Sequence, residues 1–148
     1  MGAVRKVTSI DELMAWRGEV IQNVFACGMD GELAEANRKY FEEHVPDGSH
    51  LALVYSDGEN DCGCGAACFT DEMPSPDNIS GKCAYIMNIY VRQAFRNRGI
   101  AHSLVCGLID EAKARGCGKI YLETTPQARQ VYLTSGFRDM PDLMKYYG

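Results

Sequence analysis

Followed along its apolar and polar positions, the chain breaks into short segments with two different periods, near four residues in some and near two in others. Residues 5–8 form a short candidate strand. Ser9-Ile10-Asp11-Glu12 then reads as a capping box, in which a serine side chain and a carboxylate three residues later satisfy backbone N–H groups at a helix start. The helix it opens turns Ile10, Leu13, Val20, Ile21 and Val24 inward. A second helix starts at Asp30 or Gly31, with Leu33, Ala36, Tyr40 and Phe41 on its apolar side, and ends at Pro46-Asp47-Gly48. The small residues between the two helices, 26–31, suit the lining of a substrate entrance.

Residues 51–55 and 62–69 read as two strands joined by a polar turn at Asp57-Gly58, an expected antiparallel hairpin. A longer loop over 71–81 holds Pro74, Pro76 and Gly81 and reads as an ordinary exposed connection rather than a flap. Beyond the stretch 82–116, residues 119–124 make another strand. Thr125-Pro126 forms a cap and first position for a short helix to about Ser135, and Gly136 ends it. Phe137 and residues 143–147 offer a final antiparallel hairpin. The expected order of strand, two helices, three strands, helix, strand, helix and one or two closing strands is that of a mixed α/β sheet, not a doubly wound parallel one.

The stretch 82–116 organises the rest. Tyr85, Ile86, Met87, Ile89, Tyr90 and Val91 make an apolar, β-prone run that breaks at a basic turn. Beyond it Ile100, Leu104, Leu108 and Ala112 recur every four residues beside Val105 and Ile109, and Gly116 stops the helix. A helix starting near Gly99 presents N–H groups without intrahelical partners at the positive end of its dipole. Gly99 and Ala101 leave the main chain open, while Arg96 and Arg98 add charge, so the turn is a candidate phosphate or pyrophosphate site. Its spacing matches neither GxxxxGK[ST] nor GxGxxG. On these residues alone, a basic turn that merely ends a strand explains the pattern equally well.

Composition narrows the partners. The 148 residues suit one domain, residues 1–148. A net charge of -5 argues against general nucleic-acid or anionic-membrane binding, and no apolar run is long enough to span a bilayer. It also favours a cationic small-molecule partner by long-range attraction. With no secretion leader in the sequence, the expected compartment is the cytoplasm. Seven cysteines, an odd number, fit reduced thiols better than a disulfide framework. Cys62, Cys64 and Cys68 have the spacing C-x-C-x-x-x-C, which lacks paired metal-ligand spacing; no metal is expected, and the thiols read as small core residues of a strand.

Arg96-Asn97-Arg98-Gly99-Ile100-Ala101 resembles the [Q/R]-x-x-G-x-[G/A] signature of the GNAT superfamily of N-acetyltransferases. Val91 and Phe95 stand where that family tends to have a strand-ending valine and an aromatic. Ala128 to Phe137 resembles its later A-x-x-x-Y-x-x-x-G-F segment. The likeness covers residues 82–137. Gln93, Ala101 and Thr125 depart from the family's common Pro, Gly and Asn, which touches substrate-side detail rather than fold. The resemblance implies a GNAT-like α/β fold whose central strand runs parallel to the one from Lys119 and splays from it, leaving a cleft for acetyl-CoA.

It further implies acetyl transfer to an amine. Pyrophosphate would sit on N–H groups around Arg96, Asn97, Arg98, Gly99, Ile100, Ala101 and His102. Main chain at Ile89, Tyr90 and Val91 would pair with the pantetheine arm. Tyr132 would protonate the departing thiolate, although periodicity alone makes it a core tyrosine. Glu123, at the end of a cleft-bordering strand, is a candidate general base or a solvated strand-end charge. Asn88, needing a partner if buried, is a candidate to orient substrate or water. His44 and His50 have no assigned role. The partners are then acetyl-CoA and an amine acceptor, with monomer and homodimer both open. A noncatalytic acyl-CoA-binding or sensor domain is the main competing reading, and a cysteine-based metal or redox protein is a second.

Overall fold

A computed structural model describes residues 2–148. Its elements are β1 (Ala3–Val7), α1 (Ile10–Val24), α2 (Gly31–His44), β2 (His50–Ser56), β3 (Asp61–Asp71), β4 (Lys82–Val91), α3 (Ile100–Ala114), β5 (Lys119–Leu122) and α4 (Arg129–Thr134), with a 3-10 turn at Gln93–Phe95. The cap of α1 forms as the sequence suggests, the Ser9 hydroxyl accepting from the Glu12 N–H at 3.2 Å. The five strands lie in chain order. Successive pairs from β1 to β4 are antiparallel; β4 and β5 are parallel, with α3 as the crossover that such a pair requires.

Both faces of the sheet are covered, so its strands are apolar at successive positions rather than at alternate ones. Beneath α1 and α2, Ala52, Val54, Cys64 and Tyr90 meet Leu13, Trp16, Val20 and Phe41. On the opposite face Leu51, Leu53, Cys62, Ala67 and Ile86 pack on Ile100, Leu104 and Leu108 of α3. The thiols of Cys62 and Cys64 thus belong to the two cores. Close pairing of β3 with the end of β4 relies on Gly63, where a Cβ would lie 2.6 Å from the Tyr90 carbonyl oxygen.

β4 carries a bulge. Cys64 pairs with Tyr90 and Ala66 with Met87, so Asn88 and Ile89 together stand opposite Gly65. Asn88 takes a left-handed φ of 61°, a conformation asparagine tolerates better than most residues. The loop 72–81 is tied at the other end of β4: buried Asn78 donates to the Lys82 carbonyl at 3.1 Å, and Lys119 pairs with Glu72 at 3.3 Å. It lies away from the bulge and serves as a connection.

Three expectations are corrected. No strand follows β5, so the closing hairpin at Phe137 and 143–147 is absent among the described residues. Arg129 grips Asp139 through two hydrogen bonds of 2.6 and 2.8 Å, holding the chain to α4, and Pro141 removes a ladder donor. The last helix begins at Arg129, with Ala128 as its N-cap, because residues 126–128 form a preceding turn closed by the Ala128 N–H on the Thr125 carbonyl. Glu123 lies one residue past the end of β5 and is exposed, since pairing with β4 stops at Leu122.

Candidate active site

Pairing of β4 with β5 runs only from Cys83–Lys119 to Ile86–Leu122, whereas β4 continues to Val91. From Met87 onward its side toward β5 has no strand partner, and the main chain of Ile89 and Tyr90 is part of that open stretch. The Val91 carbonyl is already engaged, accepting from Arg96 Nε at 2.9 Å. The bulge at Asn88 reorients the strand within this same stretch.

The basic turn follows directly. Asn97 and Gly99 both adopt left-handed conformations, with φ of 64° and 76°, and residues 96–99 are exposed. The first intrahelical donor of α3 is Ser103, to the Gly99 carbonyl at 3.0 Å. The N–H groups of Ile100, Ala101 and His102 precede it and are free to meet an anion. Apart from its two chain neighbours, no described residue comes within 4 Å of a Cβ placed on Gly99, so this approach is open. Ile100 itself is a core residue, and Arg98 stacks over Phe95 at 5.5 Å. The His102 ring is turned toward α4, with Nδ1 2.9 Å from the Ser135 hydroxyl and Nε2 3.4 Å from the Cys106 thiol. Its side chain therefore ties α4 to α3, and its main chain belongs to the turn.

Tyr132 is buried on α4, edge-on to Phe137 with ring centres 6.0 Å apart. Burial raises its phenol pKa, which favours the protonated form. Its hydroxyl has no hydrogen-bond partner among the described residues. Among the described residues no fully enclosed side-chain oxygen lacks a partner, so this hydroxyl is reachable by solvent or ligand. Tyr132 lines a hollow of about 740 Å³ with Ile120, Leu122 and Phe137. That hollow includes none of Ile89, Tyr90, Val91 or residues 96–102, so tyrosine and turn are not walls of one pocket. Glu123 makes no hydrogen bond to Tyr132. It lies near Tyr85, whose phenol is pushed up to about 12 by burial first and then by the Glu123 carboxylate.

Across the sheet, the polar groups were less visible in sequence. Arg17 of α1 donates from Nε to Asn37 of α2 at 3.2 Å and from Nη1 to Asn88 of the bulge at 2.7 Å. Asn88 thus finds its partner in a residue that sequence reasoning passed over. The missed signal was spacing: Arg17 falls four residues after Leu13 and four before Ile21, on the inward stripe of α1. Nearby, the Tyr40 hydroxyl lies 3.0 Å from His50 Nδ1 and 3.0 Å from the Cys68 thiol. Burial holds His50 down to about 4 and pushes Cys64 up to about 12, so both are neutral at pH 7. Cys62, Cys68, Cys83 and Cys117 are raised as well, mainly by burial, the opposite of reactive thiols. Arg92 locks the end of β4 to α1, forking onto Glu19 at 2.8 and 2.9 Å with its guanidinium 4.4 Å above the Trp16 ring.

Known proteins share this fold. A predicted acetyltransferase from Clostridium acetobutylicum, crystallised with acetyl-CoA, superimposes with a TM-score of 0.87 at 24% identity, covering 99% of this chain and 96% of that one. Glucosamine-6-phosphate N-acetyltransferase from Arabidopsis thaliana gives a TM-score of 0.74 at 21% identity, with 99% and 98% covered. In sequence, glucosamine 6-phosphate N-acetyltransferase 1 of Oryza sativa subsp. japonica is 31% identical over 104 residues, 70% of this chain but 62% of the rice protein. The sequence profile of the acetyltransferase (GNAT) family matches residues 14–137, most of the chain, and the protein belongs to that family.

Proposed function

We propose that the protein is an acetyl-CoA-dependent N-acetyltransferase that moves acetyl directly to a primary amine of a small molecule or a protein. One observation carries the reading: open main chain of β4 beyond Ile86 leads straight into the uncovered N-terminus of α3. Unpaired strand groups can hold the amides of a pantetheine arm, and the helix start can hold a pyrophosphate. Family membership and relatives named as N-acetyltransferases support the same chemistry.

In this reading Ile89 and Tyr90 position the thioester by their main chain. Arg96, Asn97, Arg98, Gly99, Ile100, Ala101 and His102 form the phosphate turn, the last three by their N–H groups. The attacking amine must be neutral; Glu123, exposed beside the cleft, takes its proton through solvent. Attack on the acetyl carbon forms the C–N bond and breaks the C–S bond, and Tyr132, kept protonated by burial, donates to the departing sulfur. The odd number of cysteines supports a reducing compartment such as the cytoplasm.

Turnover separates this reading from the sensor alternative. Incubation with acetyl-CoA and a panel of primary amines should release free CoA in an amine-dependent manner. Acetyl-CoA binding by calorimetry without turnover of any amine, protein amino groups included, favours the noncatalytic domain.

A further inference from the structure

Arg17 is set apart from the other arginines of the chain. Arg5, Arg38, Arg92, Arg115 and Arg129 each meet a carboxylate. Arg96, Arg98 and Arg138 have none among the described residues, and all three are exposed. Arg17 is half-buried between α1, α2 and β4, and no carboxylate pairs with it among the described residues. Even Glu19, two residues along, is taken by Arg92. Burial lowers the Arg17 pKa, offset only by the Cys64 and Cys68 thiols, which burial keeps protonated, and a guanidinium stays charged at any working pH.

Two neutral amide oxygens hold this charge in place without neutralising it. A guanidinium has five N–H donors; Nε and one N–H of Nη1 are engaged by Asn37 and Asn88, and the rest of the fork has no acceptor among the described residues. Partly desolvated charge left without a counter-ion is unfavourable, so a position of this kind is best completed by a ligand. The second anchor, Asn88, belongs to the bulge where β4 has left β5, one hydrogen bond from the open main chain.

We propose that Arg17 binds an anionic group of the acceptor, so that the substrate is a small amine that also carries a carboxylate or a phosphate. This rests on the acetyltransferase reading above. It reverses the acceptor charge expected from net composition, because a fork within hydrogen-bonding reach outweighs the diffuse field of a chain with charge -5.

The test uses two matched pairs, glycine against glycinamide and glucosamine 6-phosphate against glucosamine, with the parent protein, Arg17→Gln and Arg17→Lys. The parent should prefer the anionic member of one pair, and that pair identifies the anion. Arg17→Gln should raise KM for that acceptor roughly 10- to 100-fold, the range for a charged hydrogen bond, with kcat within a few-fold and the neutral analogue unaffected. Arg17→Lys should recover part of the loss. Equal use of both members of each pair by the parent overturns the proposal without reference to any variant. A second arm titrates inorganic phosphate and acetate into parent and Arg17→Gln protein by calorimetry. If no amine is acetylated but one anion binds in an Arg17-dependent way, the acetyltransferase reading fails and the anion site stands. If no amine is acetylated and neither anion does so, the anion site falls too.

Discussion

Toward β5 and at the turn beyond it, β4 presents main chain; across the sheet, under α1 and α2, it presents side chains. The first region consists of unpaired peptide groups and a helix start, held open by Asn97 and Gly99 in left-handed conformations. The second is assembled from Arg17, Asn37, Tyr40, His50, Cys68 and Asn88, contributed by two helices and three strands. Main-chain recognition tolerates many side chains provided the path of the backbone is kept, whereas side-chain recognition changes with each substitution. A family can therefore share a donor site and differ in its acceptors.

The contrast can be broken most sharply at Tyr132. Tyr132→Phe keeps the ring against Phe137 and removes a hydroxyl that has no protein partner, so stability should hold to within about 0.5 kcal/mol. The single-turnover rate at saturating acetyl-CoA and acceptor should drop by roughly 100- to 10,000-fold if the phenol protonates the thiolate. Parental rates across a pH series would make Tyr132 a packing residue and leave the donor side purely main-chain.

Next in size is the turn. Gly99→Glu brings a negative charge to within a few ångströms of a pyrophosphate, which should weaken CoA binding on the order of 100-fold in calorimetry. The left-handed φ of 76° adds about 1–3 kcal/mol of strain to the folded state, so thermal unfolding must be followed alongside. Unchanged CoA affinity in folded Gly99→Glu protein would remove residues 96–101 from the donor site.

The smallest effect sharpens the other side. His50 is held down to about 4 in the folded protein, so below its ordinary value near 6.5 the unfolded chain takes up a proton that the folded chain refuses. This contribution is flat above pH 7 and is lost as pH falls from about 6.5 toward 4. Between pH 7.5 and 5 it should lower stability by about 2 kcal/mol in urea titrations. His50→Gln should flatten that part of the profile; an equal loss in parent and variant would mean that other groups govern it.

Much of the proposed donor region was legible in sequence, since a β-prone run, a basic glycine turn and a four-residue apolar repeat are local patterns. The bulge was not, because it depends on Gly65 of β3 facing two residues of β4. The Arg17–Asn88 hydrogen bond joins residues 71 positions apart, beyond any periodicity. Asn88 alone was legible as a polar residue in need of a partner, and its partner required the fold. The closing hairpin was over-read: Leu143, Tyr146 and Tyr147 have strand-like character, yet they stay exposed while Asp139 is held to Arg129.

The brief pairing of β4 with β5 also sets the stiffness of the cleft. β4 is clamped along its length by β3 and at its end by Arg92, which holds Glu19 and the Asp61 carbonyl. β5 pairs over four residues, has no strand on its outer side among the described residues, and is fastened at its start by Lys119 on Glu72. It therefore frays first from Leu122, the end that faces the open stretch of β4. One wall of the opening is held firmly and the other yields more readily, so a group wedged between the two strands would displace β5 at Leu122 before it displaced β4.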